Sequence, residues 1–164
     1  MPFEADDFYV GMIAYFTCND LRRQPRIRTT NPTRDNKPRP FVCYAQCPFT
    51  GDAYWTALTG TPNPQRRTVS RQWLRSPCSS AFRCVTGDLI IGDGRCGFVG
   101  PVAAFAACSH KHDNFKGMSR PMLLPPGVEA VRQIVNGRGG LLPAIARDRA
   151  VEHGDGFPDT MMAT

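Results

Sequence analysis

The sequence predicts a mainly β fold: a small curled or closed sheet of about five or six short strands, with short helices that lie mostly toward the C-terminus. Three observations predict it. The 164 residues include 15 Pro and 15 Gly, which favour strands and irregular connections over long helices. The apolar runs are short, rich in aromatic and β-branched residues, and bounded by turn formers. A hydrophobic content of 41% fills a core in a chain long enough to bury about two-thirds of its unfolded surface.

The stretch 38–62 organises the rest. Phe41 to Ala45 and Ala53 to Leu58 are too short for stable helices and are separated by Pro48-Phe49-Thr50-Gly51-Asp52, so they read as paired strands. Arg39-Pro40 enters the first, because a proline biases its predecessor toward extended backbone. Thr59-Gly60 leaves the second. An arginine at one strand mouth and a hydroxyl at the other are the groups an anion site needs.

The remaining elements follow in order. Phe8 to Phe16 reads as the first strand, with Gly11 permitting a bulge or a close backbone approach. Residues 17–38 have little apolar content and many charges, and read as a long loop: an arm over a binding face, or an insertion with no role. Arg66 to Leu74 fits a short helix or a strand; as a helix it would place Arg67, Arg71 and Arg75 on one face. Ala81 to Val85 and Asp88 to Ile91 form a further strand pair turned at Thr86-Gly87-Asp88, and Cys96 to Phe98 resumes extended structure after Gly92-Asp93-Gly94. Val102 to Cys108 starts a helix. Val128 to Val135 has apolar positions 128, 131, 134 and 135 on one helical face, Leu141 to Val151 forms a second short helix, and the tail from His153 frays.

Composition excludes several classes. No run approaches the ~20 apolar residues of a membrane-spanning helix, and the acidic start MPFEADD is unlike a secretion signal, so a cytoplasmic protein is expected. Seven cysteines, several inside apolar runs, fit buried reduced thiols better than a disulfide framework. Cys43 and Cys47 read as core or turn thiols. Cys108, His110, His112 and Asp113 are metal-capable, but they have no matching second cluster and read as a solvated loop; no metal and no cofactor is expected. Gly92 to Gly97 lacks the spacing of a nucleotide-binding loop.

Charge is polarised along the chain. Residues 21–83 hold twelve basic residues against Asp35 and Asp52, which is +10, and because the whole chain is +6 the remainder is −4. Seventeen of the twenty basic residues are arginine, whose planar fork matches phosphate oxygens. Arg66, Arg67, Arg71 and Arg75 are the candidate positioning contacts to RNA. Among the aromatics Tyr44, Tyr54, Trp55 and Trp73, core packing is expected for all but Trp73, the candidate for stacking on a base at the surface.

Arg39-Pro40-Phe41-Val42, a short strand, a turn, a second strand and then Ala57-Leu58-Thr59-Gly60 resemble the core of the MazF/PemK toxins of type II toxin-antitoxin systems. Gly11-Met12-Ile13-Ala14-Tyr15 is similar to that family's first strand without its usual acidic residue, and Thr86 to Val102 resembles its later strands; the likeness spans about residues 8–108. The resemblance implies an SH3-like barrel over residues 1–110, with 111–164 as a C-terminal extension whose short helices pack on it. It implies a homodimer in the cytoplasm, an antitoxin partner, no membrane, and metal-independent, sequence-specific cleavage of single-stranded RNA through attack by the 2′-hydroxyl. The family's catalytic arginine and threonine carry onto Arg39 and Thr59. An arginine can hold two oxygens of the scissile phosphate as charge builds, and a threonine hydroxyl can donate to a third. Two other readings share the same electrostatics: a noncatalytic nucleic-acid-binding barrel, and a basic module that meets an acidic protein. No residue stands out as general acid or base.

Overall fold

The computed structural model describes residues 3–29, 35–59, 68–75, 89–91, 97–109 and 120–137. The expected strand Ala81 to Val85, the turns at 86–88 and 92–94, the helix Leu141 to Val151 and the tail from His153 lie outside the described residues. The strands are β1 (Ile13–Phe16), β2 (Arg28–Thr29), β3 (Arg39–Gln46), β4 (Ala53–Thr59), β5 (Thr68–Val69), β6 (Leu74–Arg75), β7 (Leu89–Ile91), β8 (Gly97–Gly100) and β9 (Met122–Leu123). The helices are α1 (Cys18–Arg23), α2 (Val102–Cys108) and α3 (Pro125–Gly137), and the protein is mainly β with these few short helices.

The hairpin β3–β4 is the centre of the sheet. Its tip closes because Gly51, with φ +77, takes a conformation that side chains disfavour, while Gly51 donates to the Cys47 carbonyl and Cys47 to that of Asp52, each at 2.8 Å. β1 pairs with β3 on one side, and β7 and β5 continue beyond β4, so the line runs β1-β3-β4-β7-β5. β4 has two partners along one edge: Ala53 to Thr56 face Gly100 to Gly97 of β8, whereas Leu58 and Thr59 face Ile91 and Ile90 of β7. β2 adds to the outer side of β8.

Both faces of this sheet are covered. Phe41, Cys43, Ala53, Trp55 and Ala57 pack with Phe16, Cys18, Leu21, Phe98 and Phe105, beneath α1 and α2. Val42, Tyr44, Ala45, Tyr54 and Leu58 pack with Val128, Val131 and Val135 of α3. Alternation along a strand separates the two sets, and an irregularity in the β3–β4 register between Cys43 and Ala45 shifts the pattern, which is why Tyr44 and Ala45 fall on the same side. Trp55 is the hub of the first core: Phe3 stacks on it at 6.0 Å, and Phe16 and Phe105 meet it at 5.1 and 5.5 Å.

The sheet is not a closed barrel. Among the described residues the edge strand β5 has β7 as its ladder partner, while β6 pairs with β9 in a separate two-stranded sheet. The three-residue 3₁₀ turn Arg71–Trp73 carries the chain from one sheet to the other. β9 comes up beside the start of β1 through a Met12–Met122 bridge and a bond from Leu123 to the Gly11 carbonyl at 2.7 Å. The physical reason for the difference from a barrel is that the runs at 41–45 and 53–58 have no polar outward face, so each strand needs cover on both sides.

Three local expectations also change. The first strand begins at Ile13, because Gly11, with φ +99, turns the chain where the Leu123 carbonyl passes. Residues 17–38 are not simply a loop: they contain α1 and β2, anchored by the buried side chains of Cys18, Leu21 and Ile27. The stretch 68–75 takes the extended alternative, two short strands about a 3₁₀ turn, so Arg71 and Arg75 do not share a helical face. Val102–Cys108 and the apolar face of α3 are as the spacing predicts.

Candidate functional site

The first residue of β3 is Arg39, paired across to Phe16 of β1. The last residue of β4 is Thr59, whose backbone pairs with Ile90. The β3–β4 ladder runs from Gln46 against Ala53 to Phe41 against Ala57, so Arg39, two residues before that last pair, and Thr59, two residues after it, stand at the same open end. The hairpin thus brings to one end two residues twenty apart in sequence. The Thr59 side chain is not among those described.

Arg39 is held. Its Nε and Nη2 both donate to Oδ2 of Asp35, at 2.9 and 2.5 Å. The Oδ1 of Asp35 accepts the backbone N–H of Lys37 at 2.7 Å, the turn an aspartate makes with the residue two ahead. These bonds hold the Asp35 carboxyl below its ordinary value: the Lys37 N–H contributes most, then the Arg39 guanidinium, against a smaller upward push from burial. Cys18, at the start of α1, is raised first by burial and then by the Asp35 charge, with Arg39 and Arg22 acting the other way.

Asp35 is itself positioned by α1. Asn19 donates its backbone N–H to the Asp35 carbonyl and accepts the Asp35 N–H on Oδ1, both at 3.0 Å. The helix start is fixed by Thr17, whose hydroxyl accepts from Asp20 at 3.1 Å. Sequence reasoning missed Asp35 and Asn19. Two signals pointed to them: Thr17-Cys18-Asn19-Asp20 has the spacing of a helix cap, and Asp35 is one of only two acids within the basic stretch 21–83.

The other predicted contacts are described only in part. Arg66 and Arg67 lie outside the described residues, and Arg71 is described in its backbone only. Arg75, in β6, is exposed. Trp73 is partly buried against the α3-side core, and its carbonyl accepts from Leu124 at 2.8 Å. Around α1, Arg23 is exposed and paired with Asp20 at 3.3 Å, while Arg26 and Arg28 are exposed.

The thiols do not belong to this site as nucleophiles. Cys18, Cys43, Cys47 and Cys108 are free and buried. Burial pushes Cys43 up to about 12 and Cys108 to about 11, which keeps both protonated near neutral pH. Among the described residues no three or more His, Cys, Asp or Glu side chains group to hold a metal ion; His110, His112 and Asp113 lie outside them. No described helix is long and apolar enough to cross a membrane.

The chain matches no protein-family model, no curated protein and no solved structure.

Proposed function

We propose that the protein is a metal-independent endoribonuclease of the toxin type, cutting single-stranded RNA at the open end of the β3–β4 hairpin. The observation that supports this reading is the antiparallel hairpin, in which Arg39 opens β3 and Thr59 closes β4, so that both belong to its open end. The 2′-hydroxyl attacks the adjacent phosphorus, the P–O5′ bond breaks, and the products end in a 2′,3′-cyclic phosphate and a 5′-hydroxyl. Arg39 meets the charge that builds on the non-bridging oxygens, and the Thr59 hydroxyl donates to the same phosphate. The exposed arginines Arg26, Arg28 and Arg75, with Arg66, Arg67 and Arg71, neutralise the flanking phosphates, and Trp73 offers an aromatic face at the edge of the core. The active species is a homodimer, and an acidic antitoxin segment competes for the same basic surface.

The test is cleavage of a mixed-sequence single-stranded RNA in the presence of chelator, with the cut ends sequenced. Arg39→Ala and Thr59→Ala are each expected to lower the rate on the order of 10²–10³-fold while the fold persists. Full activity in Arg39→Ala rules out this site. The ion pair between Arg39 and Asp35 favours a second reading, in which Arg39 is a structural cation of a noncatalytic RNA-binding protein. Salt-sensitive RNA binding with no cleavage by the wild type under varied RNA sequence selects that second reading.

A further inference from the structure

A guanidinium has two edges that can grip an oxyanion in a fork, the side edge formed by Nε and one Nη, and the end edge formed by the two Nη atoms. In Arg39 the side edge is taken by a single carboxylate oxygen, Oδ2 of Asp35. Nη1 of Arg39 has no hydrogen-bond partner among the described residues, and the side chain is 37% exposed. The carboxylate thus clamps the arginine without covering its far edge. The clamp is built from backbone: Asp35 is bonded at its N–H and carbonyl to Asn19, and at Oδ1 to the Lys37 N–H, and the Asn19 amide also donates to Asn36 at 2.8 Å. Asn19 in turn belongs to a helix capped by Thr17 and anchored by buried Cys18 and Leu21.

We propose that Asp35 is the positioning residue of Arg39, and that Asn19 is the tether that places Asp35, so that the free edge of the guanidinium is presented to a phosphate of the RNA. The inference rests on the ribonuclease reading above and deepens it. A long arginine side chain at a strand mouth otherwise samples many rotamers, and ordering it in advance removes that cost from the reaction. The opposite arrangement is a carboxylate that merely occupies the place of a phosphate and must leave before RNA binds. The second bond of the carboxylate, from the Lys37 N–H to Oδ1, argues against it, since turning the side chain away from Arg39 would break that bond too.

The experiment uses the full chain in five forms: wild type, Asp35→Ala, Asp35→Asn, Arg39→Ala and the Asp35→Ala/Arg39→Ala pair. Rates are read on mixed-sequence single-stranded RNA with chelator, with thermal unfolding of each form as a control. Asp35→Ala is expected to lower kcat on the order of 10–100-fold with KM changed less than about threefold, the size expected of a misplaced catalytic group. The double variant is expected to be no slower than Arg39→Ala alone, because Asp35 acts through Arg39. Asp35→Asn, which keeps a carbonyl acceptor for Nε, recovers part of the loss. Should Asp35→Ala fail to fold, Asn19→Ala serves in its place, with a smaller loss in the same parameter. An Asp35→Ala enzyme that is unchanged, or that binds RNA more tightly and turns over faster, overturns the positioning role while the ribonuclease reading stands. A double variant slower than Arg39→Ala, or no recovery by Asp35→Asn, also overturns it. Full activity in Arg39→Ala, or no cleavage by the wild type, removes both.

Discussion

At the scale of the residue, the environment decides which ionisable groups are available for chemistry. Asp35 has its carboxyl held down by the Lys37 N–H and the Arg39 guanidinium, with the Lys37 charge acting the same way and the Cys18 thiol also nearby. A depressed carboxyl contributes stability that is present above the ordinary carboxylate range and is lost as pH falls through the lowered value. The Arg39 clamp is therefore expected to be intact at neutral pH and to fail only in acid below the usual aspartate range. A cleavage rate that falls on the acid side above that range points to a group other than Asp35. Cys43 is the contrasting case, pushed up to about 12 by complete burial. Alkylation of Cys43 by iodoacetamide, followed by peptide mapping, is expected only after unfolding; labelling of the native protein at the unfolded rate contradicts that burial. Arg132, 1% exposed, spends its charge inside the fold, donating to the Tyr44 carbonyl at 2.8 Å and to Glu129 at 2.9 Å. Arg132→Ala is expected to cost about 2–4 kcal/mol in a denaturant titration, from the emptied volume and the lost bond to the Tyr44 carbonyl, and Arg132→Met less, because it fills the volume.

At the scale of the element, what was legible in the sequence depended on how much of each element's structure is set by its own residues. The β3–β4 hairpin was readable because two aromatic and β-branched runs flank a turn whose Gly51 has φ +77. α3 was readable because 128, 131 and 135 fall on one face and are buried there. α1 was not, since six residues carrying three charges have little apolar periodicity, and its burial of Cys18 and Leu21 depends on α2 and the sheet. β2, β5, β6 and β9 are two residues each, below the length at which alternation is a signal. The contact between Arg39 and Asp35 was not legible, because Asp35 is placed by a bond to Asn19 sixteen residues away. Two glycines separate backbone strain from crowding. A Cβ at Gly11 would lie 2.3 Å from the Leu123 carbonyl, whereas nothing lies within 4 Å of one at Gly51. Gly51→Ala is expected to cost about 1–2 kcal/mol, the strain of a left-handed backbone alone. Gly11→Ala is expected to cost clearly more in the same titration, because β9 must move away. Equal costs contradict the close passage of β9 at Gly11.

At the scale of the whole molecule, the sheet is sandwiched between α3 on one face and α1 with α2 on the other. The barrel expectation went wrong at this scale. Nine strands stand among the described residues where five or six were expected, four of them only two residues long, and which faces are covered is decided by the helices; the run Phe41 to Ala45 carried that information in having no polar position. Stability should accordingly concentrate in the aromatic core on the α1 and α2 side. Trp55→Ala is expected to cost about 3–5 kcal/mol, the range for emptying a buried aromatic site, and a loss below about 1 kcal/mol contradicts Trp55 as the hub. On the proposed reading, the basic stretch 21–83 is expected to make RNA affinity fall steeply with salt, as released counterions dictate. The central claim is that the RNA's own 2′-hydroxyl is the nucleophile at the Arg39–Thr59 mouth, and one substitution in the substrate tests it most directly. An RNA cut by the wild-type protein is remade with a single 2′-deoxy nucleotide on the 5′ side of the cleaved phosphate. The account expects it to bind as before and to remain uncut at that phosphate, while the all-RNA control yields a 2′,3′-cyclic end. Cleavage of the deoxy substrate at the same phosphate and the same rate contradicts it.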